Sequence, residues 1–167
     1  MGTRADFDAL TPALRRYARG LTGGAECADD LVQDALLTAL RSRGVGRGAA
    51  LQRKLYAIIT DFNRMRVASL ESADDFGRET RGEVVPFGRE GPTARAVMGR
   101  SVLAAMTLAE REAILLVSVE GFSYDEAAEI SGVSRPALIA RLAKARGRSP
   151  QHASAAGRHA PGLRVVS

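Results

Sequence analysis

The sequence predicts an all-α protein of two small helical lobes joined by a flexible linker. Three observations carry that expectation. Apolar residues recur at i, i+3 and i+4 in both halves of the chain, the period of a helix face and not of a strand. Thr107 with Glu110, and Ser123 with Glu126, have capping-box spacing, which marks helix starts in the second half. Across 167 residues tryptophan is absent and aromatics reach only 5%, with no strand pair or repeat evident; this favours helices packed through Ala, Leu, Val and Ile over a β-sandwich. The 46% hydrophobic and 26% charged content is that of a foldable chain.

The first lobe is expected over residues 6–70. Leu10, Leu14, Tyr17, Ala18 and Leu21 define one helix, which Thr22-Gly23-Gly24 ends. Ala28, Leu31, Val32, Ala35, Leu36, Ala39 and Leu40 form the apolar stripe of a second, with Asp29, Asp30, Gln33 and Asp34 away from it. The glycine-rich run from Arg43 to Gly48 breaks the pattern. A third helix turns Leu51, Leu55, Ile58, Ile59 and Phe62 inward and leaves Arg53, Lys54, Arg64 and Arg66 for an outer surface. Tyr17 and Tyr56 fall on apolar faces and read as core residues.

Residues 71–93 lose the periodicity and gain Gly, Pro, Asp, Glu and Arg, the composition of a linker. The second lobe is expected over 94–148. Ala94, Val97, Met98, Val102 and Met106 resume the helical spacing, and the helix opened by Thr107 runs to Gly121, a residue suited to a left-handed terminator. Ser123 opens a short helix through Ala127, Ala128 and Ile130. Ser134 is the N-cap of the last helix, with Pro136 in its first turn and its end near Arg146. Residues 149–167 are small, polar and basic, and are expected to be a mobile tail.

From Tyr124 to Arg146 the pattern is a helix-turn-helix: Ala128 allows close helix approach, Gly132 makes the turn, and Leu138 and Leu142 face the first helix. Such a unit presents its second helix to a major groove. Charge supports a polyanion partner. The net charge is +5, and from Ile130 onward there is no Asp or Glu while Arg135, Arg141, Lys144, Arg146, Arg148, Arg158 and Arg164 all fall there. Glu26, Asp29, Asp30 and Asp34 make an acidic patch in the first lobe, so two ends of the chain suit two different partners.

Several classes lose support. No apolar run approaches the roughly 20 residues of a membrane span and no secretory signal opens the chain, so a cytoplasmic protein is expected. Cys27 is the sole cysteine, and with only His152 and His159 beside it no zinc-ligand set exists. Gly44-Val45-Gly46-Arg47-Gly48-Ala49 fits a loose dinucleotide pattern but follows a helix, without the strand that would aim it. There is no Walker loop, and both histidines lie in the expected tail, away from any triad partner. No metal, no cofactor and no enzymatic activity are expected.

Two stretches resemble a known family. Leu14-Arg15-Arg16-Tyr17-Ala18-Arg19-Gly20-Leu21-Thr22-Gly23, followed by Ala28-Asp29-Asp30-Leu31-Val32-Gln33-Asp34-Ala35-Leu36, resembles region 2 of the extracytoplasmic-function (ECF) bacterial sigma factors. Leu108-Ala109-Glu110-Arg111-Glu112-Ala113-Ile114-Leu115-Leu116-Val117, followed by Gly121 to Ile130, resembles their region 4. The resemblance covers roughly residues 8 to 148 and is nearest in appearance to the alphaproteobacterial general-stress group.

That resemblance implies transcription initiation. Asp30, Gln33, Asp34 and Leu37 match positions that dock on the β′ clamp helices of core RNA polymerase, whose β flap is a further contact implied. Arg53, Lys54, Thr60, Asp61, Arg64 and Arg66 match the segment that opens and reads the −10 element. Ser134, Arg135, Ile139, Ala140, Arg141, Lys144 and Arg146 match the −35 reader. Promoter DNA and an anti-sigma factor are the further partners implied, and a monomer is expected when the chain is free. Four residues depart from the family pattern: Lys54 replaces a usual tryptophan, Asp61 an asparagine, Pro136 a glycine and Ile139 a basic or polar reader. Asp61 weakens phosphate contact, and Ile139 with Ala140 suits a thymine methyl or a protein contact. These departures keep open a second class, a sigma-like decoy that binds an anti-sigma factor without reading a promoter.

Overall fold

A computed structural model describes residues 3–42, 44, 46–77 and 101–148. Their architecture is all-α. Helix α1 (Thr3–Thr22) turns Phe7, Leu14, Tyr17, Ala18 and Leu21 inward. Its end is made locally: the Thr22 hydroxyl donates to the Ala18 carbonyl at 3.0 Å, and Gly23 takes a positive φ of 77° to reverse the chain. Helix α2 (Ala25–Arg41) packs antiparallel beside it on Ala28, Leu31, Val32, Ala35 and Ala39. Helix α3 (Ala49–Gly77) buries Leu51, Leu55, Tyr56 and Ile59.

Helix α3 continues past Leu70, into the segment whose composition reads as linker. Glu71, Ser72 and Ala73 tolerate helix, and the Ser69 and Ser72 hydroxyls satisfy themselves on the Met65 and Ala68 carbonyls at 2.9 Å each. The remainder of the expected linker up to residue 93, and the expected tail with both histidines, lie outside the described residues.

In the second half, residues 101–104 are helical and Thr107 caps α4 (Leu108–Ile114) with the full reciprocal box to Glu110. One difference from the sequence pattern follows. Instead of running as α-helix to Gly121, the chain widens into a π-helical turn, Leu115–Val119. The wide turn buries Leu115 and Leu116 and closes with the Glu120 N–H donating to the Leu115 carbonyl at 2.9 Å. Ser123 caps α5 (Tyr124–Ser131), Gly132 ends it at φ 63°, and Ser134 caps α6 (Arg135–Gly147), which buries Leu138, Leu142 and Ala145.

The two halves are packed together on one continuous core that runs from Phe7 to Leu142. Tyr56 stands at its centre. Its ring lies 5.0 Å from that of Tyr17 and 4.8 Å, edge to face, from that of Phe122. At Gly20 the approach of α1 to the π turn is so close that a Cβ would fall 2.7 Å from Leu115 Cδ2. Only glycine admits that contact without a shift.

Candidate functional site

Three helix faces carry the candidate residues. On α2, Asp30, Gln33 and Asp34 are exposed, with Leu37 at 40% and Leu40 at 60%. Leu40 reads from the sequence as part of the buried stripe; the helix instead turns it outward. An advance of about 100° per residue carries the stripe off the core between Leu36 and Leu40, into the sector shared by Gln33, Leu37, Asp30 and Asp34. The result is a ridge of acids and leucines. Beside it Cys27, Asp30, Asp34, Phe62, Met65 and Arg66 line a groove of about 330 Å³ between α2 and α3.

The α3 set is divided. Asp61 is exposed and Lys54 half-buried. Thr60 is fully buried, its hydroxyl hydrogen-bonded with that of Tyr17 at 2.8 Å and donating to the Tyr56 carbonyl at 2.8 Å. In this arrangement it is a core residue and not a strand-facing one. Arg66 donates to Asn63 Oδ1 at 3.0 Å. Arg64 turns across to the second half. It grips Glu112 with two parallel hydrogen bonds, Nε to Oε1 at 2.9 Å and Nη2 to Oε2 at 2.6 Å, and Nη2 also donates to the Ser131 carbonyl at 3.0 Å. Arg53 lies 3.5 Å from Glu126 and 3.4 Å from Glu129. Its Nε lacks hydrogen-bond geometry, so these are looser ionic contacts.

The α6 set faces solvent. Ser134 holds the helix start by accepting from the Ala137 N–H at 3.3 Å. Ile139 is 43% exposed, and Pro136, Ala140, Lys144 and Arg146 are exposed as well. Among the described residues Lys144 and Arg146 have no carboxylate partner, and Arg135 has only the exposed Asp125 at 3.4 Å. Arg141 is half-buried. Arg148 turns back to Glu110 at 3.2 Å and to the Ala105 carbonyl at 3.0 Å.

A second arginine–carboxylate pair crosses between the halves, which sequence reasoning missed. Glu120 accepts from Arg16 Nε at 2.9 Å, from Arg16 Nη2 at 2.6 Å and from the Tyr56 hydroxyl at 2.7 Å. The Glu120 side chain is 2% exposed and that of Glu112 1%. The hydrogen bonds to these carboxylates hold the Arg16 and Arg64 guanidiniums above their ordinary pKa. Burial drives the Tyr17 and Tyr56 hydroxyls well above theirs, Glu120 adding to the effect at Tyr56. Arg111, half-buried, is pushed the other way by desolvation; it donates to the Leu21 carbonyl of α1 at 2.8 Å. Glu112 carried a legible sign, since it occupies an inward position three and four residues before Leu115 and Leu116. Glu120 carried none, because the π turn shifts the period just before it.

No group of three or more metal-ligating side chains occurs among the described residues, and no described helix is long and apolar enough to cross a membrane.

Known proteins match this arrangement over both halves. The family model "Sigma2 domain of PhyR" matches residues 8–60, and "Response regulator PhyR, sigma-like domain" matches 103–147. The ECF RNA polymerase sigma factor EcfG of Rhodopseudomonas palustris (strain TIE-1) is 34% identical over 150 residues, covering 86% of this chain and 80% of the relative. The ECF sigma factor SigM of Mycobacterium tuberculosis is 30% identical over 155 residues, covering 88% and 76%. Among solved structures, the sigma factor RpoE of Bartonella quintana, in complex with the anti-sigma factor NepR, superposes with a TM-score of 0.70 at 27% identity over 90% of this chain and 96% of that one. The helix-turn-helix and the acid-faced three-helix unit thus define a bacterial transcription initiation factor fold. The chain belongs to the ECF sigma factor family.

Proposed function

We propose that this chain is an ECF-type sigma factor that binds core RNA polymerase and directs promoter-specific initiation, under control of an anti-sigma factor. One observation carries the reading: a single chain presents an exposed ridge of acids and leucines on α2 and, on α6, an exposed cation-bearing second helix of a helix-turn-helix. Asp30, Gln33, Asp34 and Leu37 form the polymerase face, where negative charge complements a basic partner and Leu37 supplies apolar contact. The β′ clamp helices take this face, and the β flap takes the second lobe. Helix α6 enters the −35 major groove, with Lys144 and Arg146 on phosphates and Ile139 with Ala140 against base edges. Arg53, Lys54, Asp61, Arg64 and Arg66 border the −10 strand once the lobes part. Bond-making belongs to the polymerase and not to this chain.

The anti-sigma partner is inferred from the RpoE relative, whose structure holds NepR. A second reading, a decoy that binds an anti-sigma factor without reading promoters, is favoured by the PhyR character of both family matches and by Asp61 on α3. Run-off transcription separates the two. Core polymerase, this protein and a template library randomised at −35 and −10 yield specific transcripts if the first reading holds. No transcript, beside a control sigma factor that works, overturns it in favour of the decoy.

A further inference from the structure

Four ionic contacts between the two halves run the same way. Their cations, Arg16, Arg53 and Arg64, come from the first half, and their carboxylates, Glu112, Glu120, Glu126 and Glu129, come from the second. Two of these contacts are forked arginine–carboxylate pairs, the geometry in which arginine also takes a phosphate. Glu112 and Glu120 are almost completely buried, and their only cationic partners among the described residues are Arg64 and Arg16. A buried carboxylate stripped of its guanidinium is costly, so each pair makes separation of the halves expensive until water reaches it.

We propose that Glu112 and Glu120 form a clasp that holds the factor closed, and that a separated DNA strand competes with Glu112 of this clasp for Arg64 of α3. The carboxylates stand in for phosphates: Glu112 on Arg64, and Glu126 with Glu129 on Arg53. While the clasp is shut Arg64 is spent, whereas the outer face of α6 stays exposed. Duplex contact through α6 therefore comes first and strand capture by α3 follows opening. The competition rests on the strand reading of α3 given above; the clasp does not.

The test uses the full chain with dyes on Cys27, its sole cysteine and exposed on α2, and on an Ala143→Cys substitution at an exposed position of α6. The wild-type background is expected to give one narrow inter-dye distance, and Glu112→Gln/Glu120→Gln a longer, broader one. If the closed form holds about nine-tenths of the wild type, opening raises apparent affinity for a fluorescein-labelled oligo-dT strand about tenfold. The charge-swapped Arg64→Glu/Glu112→Arg variant restores the narrow distance without the strand affinity, which separates clasp loss from misfolding. An unchanged distance in Glu112→Gln/Glu120→Gln, or loss of the narrow distance in the charge swap, overturns the clasp. Opened lobes with unchanged strand affinity overturn the competition and the strand reading of α3 with it, while leaving the clasp standing.

Discussion

Helices α3 and α6 both carry cations on a face that the helical period turns away from their own lobe, yet they end in opposite states. On α6, Lys144 and Arg146 stand in solvent without a carboxylate partner among the described residues. On α3, Arg64 is locked onto a buried glutamate of the other half and Arg53 is flanked by two more. The difference lies in what each helix packs against. Arg64 of α3 reaches Glu112 of α4 and Arg53 reaches Glu126 and Glu129 of α5, while Lys144 and Arg146 on the outer face of α6 have no carboxylate partner among the described residues. A cation's position on a helix therefore says little about its availability until its tertiary neighbours are known.

The largest effect is expected where the contrast is sharpest. Arg64→Ala leaves Glu112 buried without its cation and should lower unfolding stability by about 3 kcal/mol in urea titration, the scale of a broken buried pair. A loss indistinguishable from that of Arg146→Ala would erase the distinction between the two helices. Gly20→Ala is next. Its Cβ forces Leu115 to shift, an overpacking cost of about 1–2 kcal/mol set against about 1 kcal/mol of helix propensity gained, so the variant should lose at most about 1 kcal/mol and show a looser contact between the halves, measured by hydrogen exchange in α1 and in Leu115–Val119.

Ser123→Ala removes the N-cap of α5 and should cost about 1 kcal/mol in thermal melting. Its pH dependence is distinctive. The Glu126 carboxyl is held below its ordinary pKa, first by the Ser123 N–H and then by the Ser123 hydroxyl. The carboxylate bonds therefore contribute above the ordinary carboxylate pKa and fade as pH falls through the lowered value; only the one from the Ser123 hydroxyl is absent in the variant, so the gap between wild type and variant should narrow in acid while the cap bond from the Glu126 N–H keeps it open. The smallest stability effect belongs to Arg146→Ala, within about 0.5 kcal/mol because the side chain is exposed and has no carboxylate partner among the described residues. That variant should instead flatten the salt dependence of duplex binding by about 0.9 in log–log slope, one phosphate contact.

Much of the framework was legible before any coordinates. Both capping boxes, the serine N-cap of α6, the Gly132 terminator and the core placement of Tyr17 and Tyr56 follow from local chemistry and from a 3.6-residue period, and the structure has each of them. Leu40 was misplaced because an apolar residue at a helix end satisfies the period without being covered. The π turn was missed because one inserted residue leaves no compositional trace in the run Leu115–Val119. The extension of α3 beyond Leu70 was missed because polar helix formers resemble a linker when no partner is in view.

By itself the sequence determined the helices, their caps, the helix-turn-helix and the separation of an acidic face from a basic end. All of these depend on residues within about one or two helical turns of each other, where backbone hydrogen bonding and side-chain period act directly. Tertiary structure alone decided which cations are spent. Arg16 meets Glu120 across 104 positions and Arg64 meets Glu112 across 48, separations over which no period survives. Those meetings depend on how close α1 and α3 come to the second half, set by Gly20 against Leu115 and by Tyr56 between Tyr17 and Phe122.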